Sequence, residues 1–287
     1  MEIWQAIILG IVQGVTEFLP ISSSGHLIIF PWLLDWDTPG LAFDAALHLG
    51  TLCAVIVYFR NDILRMVKAV PYALGHGPAL LGSSGEEDEH PQAEARLGWL
   101  IVIATVPGLI AGLLLQGFVD DLFHADEITD RAIATIATMA IVVGIVLWIA
   151  ERVANRSRGI GSMRWSDALI IGAAQAIALI PGTSRSGATI TAGLFRGLKR
   201  ADAARFSFLA GMPLVLAAGL KSIYDATEEG ISSNELSLFI AGGLSSALVG
   251  FVTIFGLLRF LQSNSTQIFV IYRILFGLFL FSMILFD

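Results

Sequence analysis

Hydrophobic residues along this chain are gathered into eight long stretches, which short polar segments separate. A helix needs roughly 20 consecutive apolar residues to span a bilayer, and each stretch meets or approaches that length. The pattern therefore predicts an all-α integral membrane protein. The stretches cover residues 3–34, 41–59, 97–119, 132–150, 166–195, 203–220, 236–258 and 266–286.

The composition supports this interpretation and excludes other classes. Of the 287 residues, 55% are hydrophobic and 14% are charged, whereas soluble domains carry roughly 25% charged residues. So few charges cannot cover the surface of an ordinary soluble enzyme, and the hydrophobic content excludes a disordered protein. Because the net charge is −7, no basic surface is available and no nucleic-acid partner is expected.

The charges between the stretches predict the topology. Segments 151–165 and 196–205 are basic, which is typical of cytoplasmic loops, and residues 70–95 are interpreted as a mobile cytoplasmic loop. The two basic segments flank 166–195, yet a single crossing would place them on opposite sides. Residues 181–187 break a helix, and such backbone exists at membrane depth only inside protein or along a cavity. Residues 166–195 are therefore predicted to form a re-entrant helix–loop–helix hairpin.

The stretch 3–34 carries the same pattern 162 residues earlier and predicts a second re-entrant hairpin. Each half of the chain, about 1–150 and 163–287, then holds one hairpin and three crossings, and an odd number of crossings inverts the second copy. The predicted fold is one membrane domain with six transmembrane helices and two hairpins, whose tips meet in the bilayer interior. The matching residues are Ala6, Ile8, Gly10, Gln13, Ser22, Ser24 and Gly25 with Ala168, Ile170, Gly172, Gln175, Ser184, Ser186 and Gly187.

Three ionisable side chains, Glu17, His26 and Arg185, lie well inside the predicted hairpins, away from their ends, where a charge is costly and indicates a functional site. Serine hydroxyls and free N–H groups at the start of a helix favour an anion, and the planar guanidinium of Arg185 suits a phosphate. In this setting Glu17 can act as a general base or bind a divalent cation. Ser23 can act as a nucleophile, and His26 can protonate a leaving oxygen.

Simpler structural roles stay open for the same residues. The serines can be helix caps, His26 can be a packing residue, and Glu17 can form a structural ion pair with the arginine of the other hairpin. Outside the tips, Asp44 and His48 are not expected to be catalytic. Arg273, inside the last stretch, is expected to extend to the cytoplasmic edge of the membrane, and the alternative is that it pairs with a buried carboxylate.

Residues 13–26, which read QGVTEFLPISSSGH, and residues 181–187, which read PGTSRSG, resemble the two signature motifs of the bacterial undecaprenyl-diphosphate phosphatases of the bacitracin-resistance type. The resemblance extends over essentially the whole chain. It implies a bacterial inner-membrane hydrolase that converts undecaprenyl diphosphate to undecaprenyl phosphate and inorganic phosphate. That reaction recycles the lipid carrier for cell-wall synthesis and confers bacitracin resistance. The resemblance also implies a site that faces the periplasm.

Carried over by position, the resemblance assigns site roles and a divalent cation, Mg²⁺ or Ca²⁺, with Glu17 as a ligand. At position 13 many members have Glu, and at position 24 Thr is common. The attacking group stays open between a serine and water, and a homodimer is left open. The catalytic residues are Glu17, Ser23, His26 and Arg185. The substrate-binding residues are Gln13, Ser22, Ser24, Gly25, Thr183, Ser184, Ser186 and Gly187.

The alternative function is a lipid flippase or a transporter of a phosphorylated substrate, because inverted repeats with broken helices are a transporter architecture. The combination of acid, hydroxyl, histidine and arginine at the tips favours the enzyme. A transporter needs the charges but has no use for a hydroxyl beside a carboxylate. Phosphate release without a transmembrane gradient would separate the two functions.

Overall fold

The computed structural model describes residues 1–37, 40–82, 91–123 and 129–286. Over these residues the fold is helical, apart from turns and one isolated β-bridge between Arg158 and Leu198. Two short 3-10 helices cover Gly77–Gly82 and Ile160–Ser162. The α-helices are α1 (Ile3–Thr16), α2 (Ser23–Leu33), α3 (Leu41–Tyr58), α4 (Arg60–Lys68), α5 (Val70–His76), α6 (Gln92–Phe123), α7 (Asp130–Val153), α8 (Trp165–Ile177), α9 (Arg185–Phe195), α10 (Arg200–Glu229), α11 (Ser233–Ser263) and α12 (Gln267–Phe286).

Six of these helices are long and apolar enough to cross a membrane: α3, α6, α7, α10, α11 and α12. Each matches one of the predicted apolar stretches, which confirms an all-α, multi-pass membrane protein. The other two stretches are each divided into two shorter helices. We call α1 and α2 the first helix pair and α8 and α9 the second helix pair. The residues between them, 17–22 and 178–184, are the first turn and the second turn.

The two turns end in the same unusual backbone conformation. The last residues, Ser22 and Ser184, have φ of 81° and 69°. Each serine Oγ accepts a hydrogen bond from the N–H three residues later, that of Gly25 at 3.3 Å and that of Gly187 at 3.0 Å. A proline in each turn cannot continue a helix, and Gly182 has φ of 90°, which glycine adopts without strain. The sequence therefore stops one helix and caps the next at both places.

The two ends of the first helix pair lie side by side. The N-terminal amino group contacts Asp37 Oδ2 at 3.1 Å. The rings of Trp4 and Trp36 pack edge to face, with centroids 5.2 Å apart. The chain therefore leaves this pair close to where it enters.

The second helix pair has the same property, and charged groups hold its ends together. Asp167 is fully buried and accepts hydrogen bonds from Arg158 Nη2 at 2.7 Å and Arg196 Nε at 2.5 Å. Lys199 N donates to the carbonyl of Arg158 at 2.8 Å. Burial alone would raise the pKa of the Asp167 carboxyl, but hydrogen bonds from Arg158, the Arg164 N–H and Arg196 hold it below its ordinary value. The two basic segments thus lie at the same end of the molecule.

Helices from the two halves of the chain pack against each other in equivalent ways. The first helix of each pair packs along the second long helix of the other half, α1 on α11 and α8 on α6. The close approach depends on glycine at matching positions. A Cβ on Gly10 would lie 2.8 Å from Ser245 Cβ, and a Cβ on Gly172 would lie 2.9 Å from Ala104 Cα. This packing brings both turns to the centre, where Ser186 Oγ donates to the carbonyl of Leu19 at 3.1 Å.

The interpretation of residues 70–95 as a loop needs correction. The chain forms α5 and then the 3-10 helix Gly77–Gly82, and both pack on α6. Leu80 is buried beside Ala95, and Trp99 Nε1 donates to the carbonyl of Ala73 at 3.3 Å. These apolar residues pack against α6, although glycine and proline are frequent among their neighbours in the sequence. The acidic residues of this stretch, 86–89, lie outside the described residues, and its mobility stays a prediction.

Candidate functional site

Glu17 lies at the centre of the contact between the two turns. Its side chain is buried, and Oε1 accepts a hydrogen bond from Arg185 Nη2 at 2.7 Å. The other oxygen, Oε2, accepts from Ser23 Oγ at 2.7 Å and from Gln13 Nε2 at 3.2 Å. The acid, the hydroxyl and the arginine that the sequence singled out therefore form one hydrogen-bonded group.

This group combines features that acid–base and phosphate chemistry require. A carboxylate that accepts a hydrogen bond from a hydroxyl is in position to remove its proton. Arg185 has little exposure, at 16% for its side chain, so its charge acts in a medium with little water to screen it. Its Nη1 also donates to the carbonyl of Ser207 at 3.3 Å. The arrangement suits a reaction in which a serine hydroxyl or a water molecule attacks a phosphate group.

A cavity of about 330 Å³ opens beside the Glu17–Arg185 contact. Its volume is within the range of small-molecule sites, roughly 300–1,000 Å³. One end is polar, and the remaining wall is mostly apolar. Such a cavity suits a small charged group that is attached to an apolar chain. The polar lining is Glu17, Ser23, Ser24, Asp44, His48, Gln175, Ser184, Arg185 and Ser222, and the apolar lining is Leu27, Ile28, Leu41, Ala45, Ala178, Leu179, Pro181, Leu214, Val215, Ala218 and Gly219.

Only some of the predicted site residues line this cavity: Glu17, Ser23, Ser24, Ser184 and Arg185. The remaining predicted substrate-binding residues do not line the cavity and lie in the turns or in the adjoining ends of α1, α2 and α9. Three of these are hydroxyl residues that are almost fully buried, and Gln13 orients Glu17. Those behind the cavity wall are Gln13, Ser22, Gly25, Thr183, Ser186 and Gly187.

His26 lies on the far side of the first turn and does not line the cavity. Its Nδ1 contacts the carbonyl of Ser22 and its Nε2 contacts the hydroxyl of Tyr272, both at 2.6 Å. The ring also stacks on Phe276, with centroids 4.5 Å apart. Because both ring nitrogens are engaged away from the cavity, this geometry gives no support to His26 as the proton donor. It supports the alternative packing role.

Asp44 and His48, which were not expected to be catalytic, line the cavity opposite Ser23. His48 Nδ1 donates to the carbonyl of Asp44 at 2.8 Å, so Nε2 is the nitrogen that faces Glu17 Oε2, at 3.6 Å. Asp44 Oδ1 is buried and has no hydrogen-bond partner among the described residues. The signal in the sequence was the i, i+4 spacing, which places both residues on one helix face.

Arg273 differs most from its prediction. It was expected to extend to the cytoplasmic edge, yet it is fully buried in the centre of the molecule. Its guanidinium donates to five backbone carbonyls instead of reaching water. The cause is that both turns leave carbonyl oxygens without a helical partner beside α12, and a guanidinium can satisfy several at once. The acceptors are the carbonyls of Pro20, Met139, Ala140, Gly182 and Thr183, at 2.9–3.1 Å.

Known proteins are similar to this sequence over almost its full length. Residues 6–279 match the family model described as "Bacitracin resistance protein BacA". An undecaprenyl-diphosphatase of Thermomicrobium roseum is 48% identical over 280 residues, covering 98% of this chain and 97% of the relative. An undecaprenyl-diphosphatase of Synechococcus elongatus is 44% identical, with 96% and 91% covered. One from Chlorobaculum tepidum is also 44% identical, with 99% and 98% covered.

Proposed function

Since this chain belongs to the family of bacitracin resistance protein BacA, we propose that it hydrolyses undecaprenyl diphosphate to undecaprenyl phosphate and inorganic phosphate. The observation that carries the proposal is the contact of Ser23, Glu17 and Arg185 at the polar end of a cavity with apolar walls. The diphosphate lies at the polar end, and the first isoprene units lie along the apolar wall. The reaction returns the lipid carrier to cell-wall synthesis and provides resistance to bacitracin.

In the reaction, Ser23 Oγ attacks the terminal phosphorus while its proton passes to Glu17 Oε2, 2.7 Å away. The bond from this phosphorus to the bridging oxygen breaks, and undecaprenyl phosphate leaves with the proton that Glu17 received. Water then attacks the phosphoserine. Glu17 accepts a proton from that water and returns one to the serine oxygen, so inorganic phosphate departs and the site is restored.

Arg185 supplies the positive charge for the phosphoryl group in transfer. In the resting site it is paired with ionised Glu17 at 2.7 Å. Once Glu17 has taken the proton it is neutral and attracts Arg185 less strongly. The guanidinium can then bind the phosphate oxygens through its planar fork. Proton transfer and phosphate stabilisation are thus linked by one carboxylate, and most of the catalysis is electrostatic positioning.

A divalent cation, Mg²⁺ or Ca²⁺, is part of the proposal. No group of three or more acidic, histidine or cysteine side chains that could hold a metal ion occurs in the part of the chain that the structure describes. Glu17 and Asp44 nevertheless both line the cavity, and no described residue is hydrogen-bonded to Asp44 Oδ1. Mg²⁺ is often bound by one or two carboxylates together with substrate phosphates. Bound there, the cation would neutralise charge on the diphosphate.

We also propose that both helix pairs are re-entrant, that the two halves are inverted, and that the site faces the periplasm of an inner-membrane protein. The adjacent ends of each pair support re-entrance. The cavity extends to Leu41, at the start of α3, and to Ser222, near the end of α10. These residues lie beside acidic segments, whereas basic segments mark the cytoplasmic side.

Cysteine labelling from each side of the membrane tests this topology. In a Cys53→Ser background, a cysteine at Asp37 should react with an impermeant reagent from outside, and one at Ser157 should react only from inside. Both wild-type side chains are exposed. Labelling of both positions from the same side would contradict the inverted arrangement, because three crossings separate them.

Hydrolysis is favoured over transport because Ser23 donates to the Glu17 carboxylate at 2.7 Å, a contact that a transporter does not need. In this conformation the far side of the site is also closed. A void of about 10 Å³ adjoins the Glu17–Arg185 pair on the side of Phe18 and Phe208. Those two rings pack edge to face with centroids 5.2 Å apart. In this conformation neither the void nor the gap between the two rings is large enough for a phosphate group to pass.

The function is tested with the purified protein in detergent and undecaprenyl diphosphate. Phosphate should be released without any gradient, and acid-quenched enzyme should retain phosphate on Ser23. Glu17→Gln and Arg185→Ala should each release phosphate far more slowly than the wild type. A wild-type rate in either variant would refute the site assignment. If Ser23→Ala kept its rate within about tenfold and no phosphoserine formed, water rather than Ser23 would be the attacking group.

A further inference from the structure

Arg273 on α12 connects the two turns from the side opposite the cavity. Its Nη1 donates to the carbonyl of Pro20 in the first turn at 3.1 Å. Its Nη2 donates to the carbonyls of Gly182 and Thr183 in the second turn, at 2.9 Å and 3.0 Å. No other side chain in the described residues is recorded as donating to carbonyls of both turns. One guanidinium therefore fixes how the two turns lie relative to each other.

Arg273 has no carboxylate partner in the described part of the chain, since all its recorded acceptors are carbonyls. A buried charge without a counter-ion is costly unless its hydrogen bonds are satisfied. Five carbonyls meet that need but leave the positive charge uncompensated. That charge lies directly behind the turns and favours an anion in front of them.

Two glycines leave the space that the arginine occupies. A Cβ on Gly187 would lie 3.3 Å from Arg273 Nη1, and a Cβ on Gly144 would lie 3.2 Å from Arg273 Cβ. Gly187 was predicted from the sequence to bind substrate. In the structure it instead admits the guanidinium behind the second turn.

The hydrogen bonds of Arg273 also determine where peptide N–H groups point. In a trans peptide the C=O and the N–H point in opposite directions. Arg273 holds the carbonyl of Thr183 towards α12, so the N–H of the same peptide, that of Ser184, points away from α12. Ser184 lines the cavity. The peptide before α9 is thereby oriented with the Ser184 N–H on the cavity side, where it can donate a hydrogen bond to a phosphate oxygen.

We propose that Arg273 is a positioning residue for phosphate, which holds the carbonyls of both turns behind the site so that the Ser184 N–H and the charge of Arg273 favour the anion in the cavity. This inference rests on the proposed function and adds a residue that touches no reacting atom. Tyr272, the preceding residue, holds His26 by a 2.6 Å hydrogen bond. Two adjacent residues of α12 thus support the site from behind.

The test compares two buried arginines that both donate to carbonyls. Arg273→Lys keeps the charge but cannot serve all five acceptors. Arg96→Lys is the matched control, because Arg96 is 3% exposed and donates to the carbonyls of Gly161 and Met163, far from the cavity. Inorganic phosphate is the probe, and its dissociation constant is measured by thermal shift with the intact protein. kcat and KM for the lipid diphosphate are measured in parallel.

Arg273→Lys should weaken phosphate binding at least about tenfold and lower kcat by about 10²-fold, since a misplacement of about 1 Å costs that much. Arg96→Lys should keep both values within about twofold, even if its melting temperature falls. Arg273→Gln, which keeps two donors without the charge, replaces the lysine variant if that variant does not fold.

Equal effects of Arg273→Lys and Arg96→Lys, or an unchanged phosphate affinity in a folded Arg273 variant, would overturn the proposal. Phosphate binding does not depend on turnover. A wild type that binds phosphate but releases none from undecaprenyl diphosphate would therefore refute the proposed function and leave the role of Arg273 still measurable.

Discussion

The first turn and the second turn have nearly the same backbone but different chemistry. Ser22 and Ser184 adopt the same positive φ and cap the following helix in the same way. At the 162-residue offset, Glu17 corresponds to Leu179 and Ser23 corresponds to Arg185. The first helix pair thus carries the acid and the hydroxyl, and the second helix pair carries the cation at the position equivalent to the hydroxyl.

This difference explains why two similar turns make one site. Two identical acidic turns would place like charges against each other in a medium with little water, which costs far more than at a surface. Opposite charges at the facing tips attract instead, as in the 2.7 Å contact of Glu17 with Arg185. In the proposed reaction the common backbone presents the starts of α2 and α9 to the phosphate, and the divergent side chains supply the base, the nucleophile and the charge.

The largest expected effect is on the acid of the first turn. Glu17→Gln should lower kcat about 10³-fold, because a positioned general base contributes roughly 10²–10⁴-fold. The amide cannot accept the proton of Ser23. Leu179→Met, at the equivalent position of the second turn, should lower kcat by no more than about threefold, since Leu179 offers only apolar wall. Phosphate release from the lipid diphosphate measures both, and similar losses would show that the two turns are not chemically distinct.

A smaller effect is expected for the cation of the second turn. Arg185→Lys keeps the charge but loses the planar fork, so kcat should fall about 10²-fold, the cost of one lost donor to a developing charge. Arg185→Ala should lose more, because it also leaves Glu17 without its partner. The two variants are compared by kcat at saturating lipid diphosphate. Equal rates in the lysine variant and the wild type would mean that charge alone suffices.

Much of the fold could be predicted because apolar length and helix-breaking residues are local signals. Eight apolar stretches gave six long helices and two broken pairs, and the proline and serine positions located both turns. The acid, the hydroxyl and the arginine also came together as expected, since a buried charge in an apolar stretch has few uses.

The faces of the helices could not be predicted in the same way. A helix in lipid is apolar on its outer and inner sides, so the sequence contains no polar face to fix its rotation. Whether His26 points into the cavity or towards Tyr272 depends on that rotation. The position of the Arg273 side chain depends on carbonyls of α7 and of both turns, and these carbonyls lie far apart in the sequence. His48 likewise reaches Glu17 only through tertiary packing.

A third difference between the pairs is charge at the start of their first helices. Gln5 accepts a hydrogen bond from the Glu2 N–H at 2.6 Å, and the equivalent Asp167 accepts from the Arg164 N–H at 2.8 Å. Only Asp167 is ionisable, and its pKa is lowered in the folded protein from the ordinary value of 3.8. Its contribution to stability is therefore complete at neutral pH and is lost as the pH falls through the lower, folded-state pKa.

Asp167→Asn should therefore lower the free energy of unfolding by about 1–3 kcal/mol at pH 7, the cost of buried donors left without a charged acceptor. The difference from the wild type should shrink at acid pH, below the ordinary carboxyl pKa of 3.8, because protonation then favours the unfolded chain. Gln5→Ala should have an effect that does not depend on pH. Thermal unfolding in detergent at neutral and at acid pH measures this, and a constant difference for Asp167→Asn would contradict the assigned role.

The smallest effects should be equal in the two turns. Ser22→Ala and Ser184→Ala each remove one capping hydrogen bond and should each lower the free energy of unfolding by about 1 kcal/mol, the usual cost of a lost N-cap. Ser→Gly at either position should cost less, because glycine adopts the positive φ without strain. Chemical denaturation of the four variants decides the matter. Suppose instead that alanine lowers the free energy of unfolding in one turn and leaves it unchanged in the other. Capping would then not explain the backbone conformation that the two turns share. The close packing of α1 on α11 and of α8 on α6 would have to impose that conformation instead.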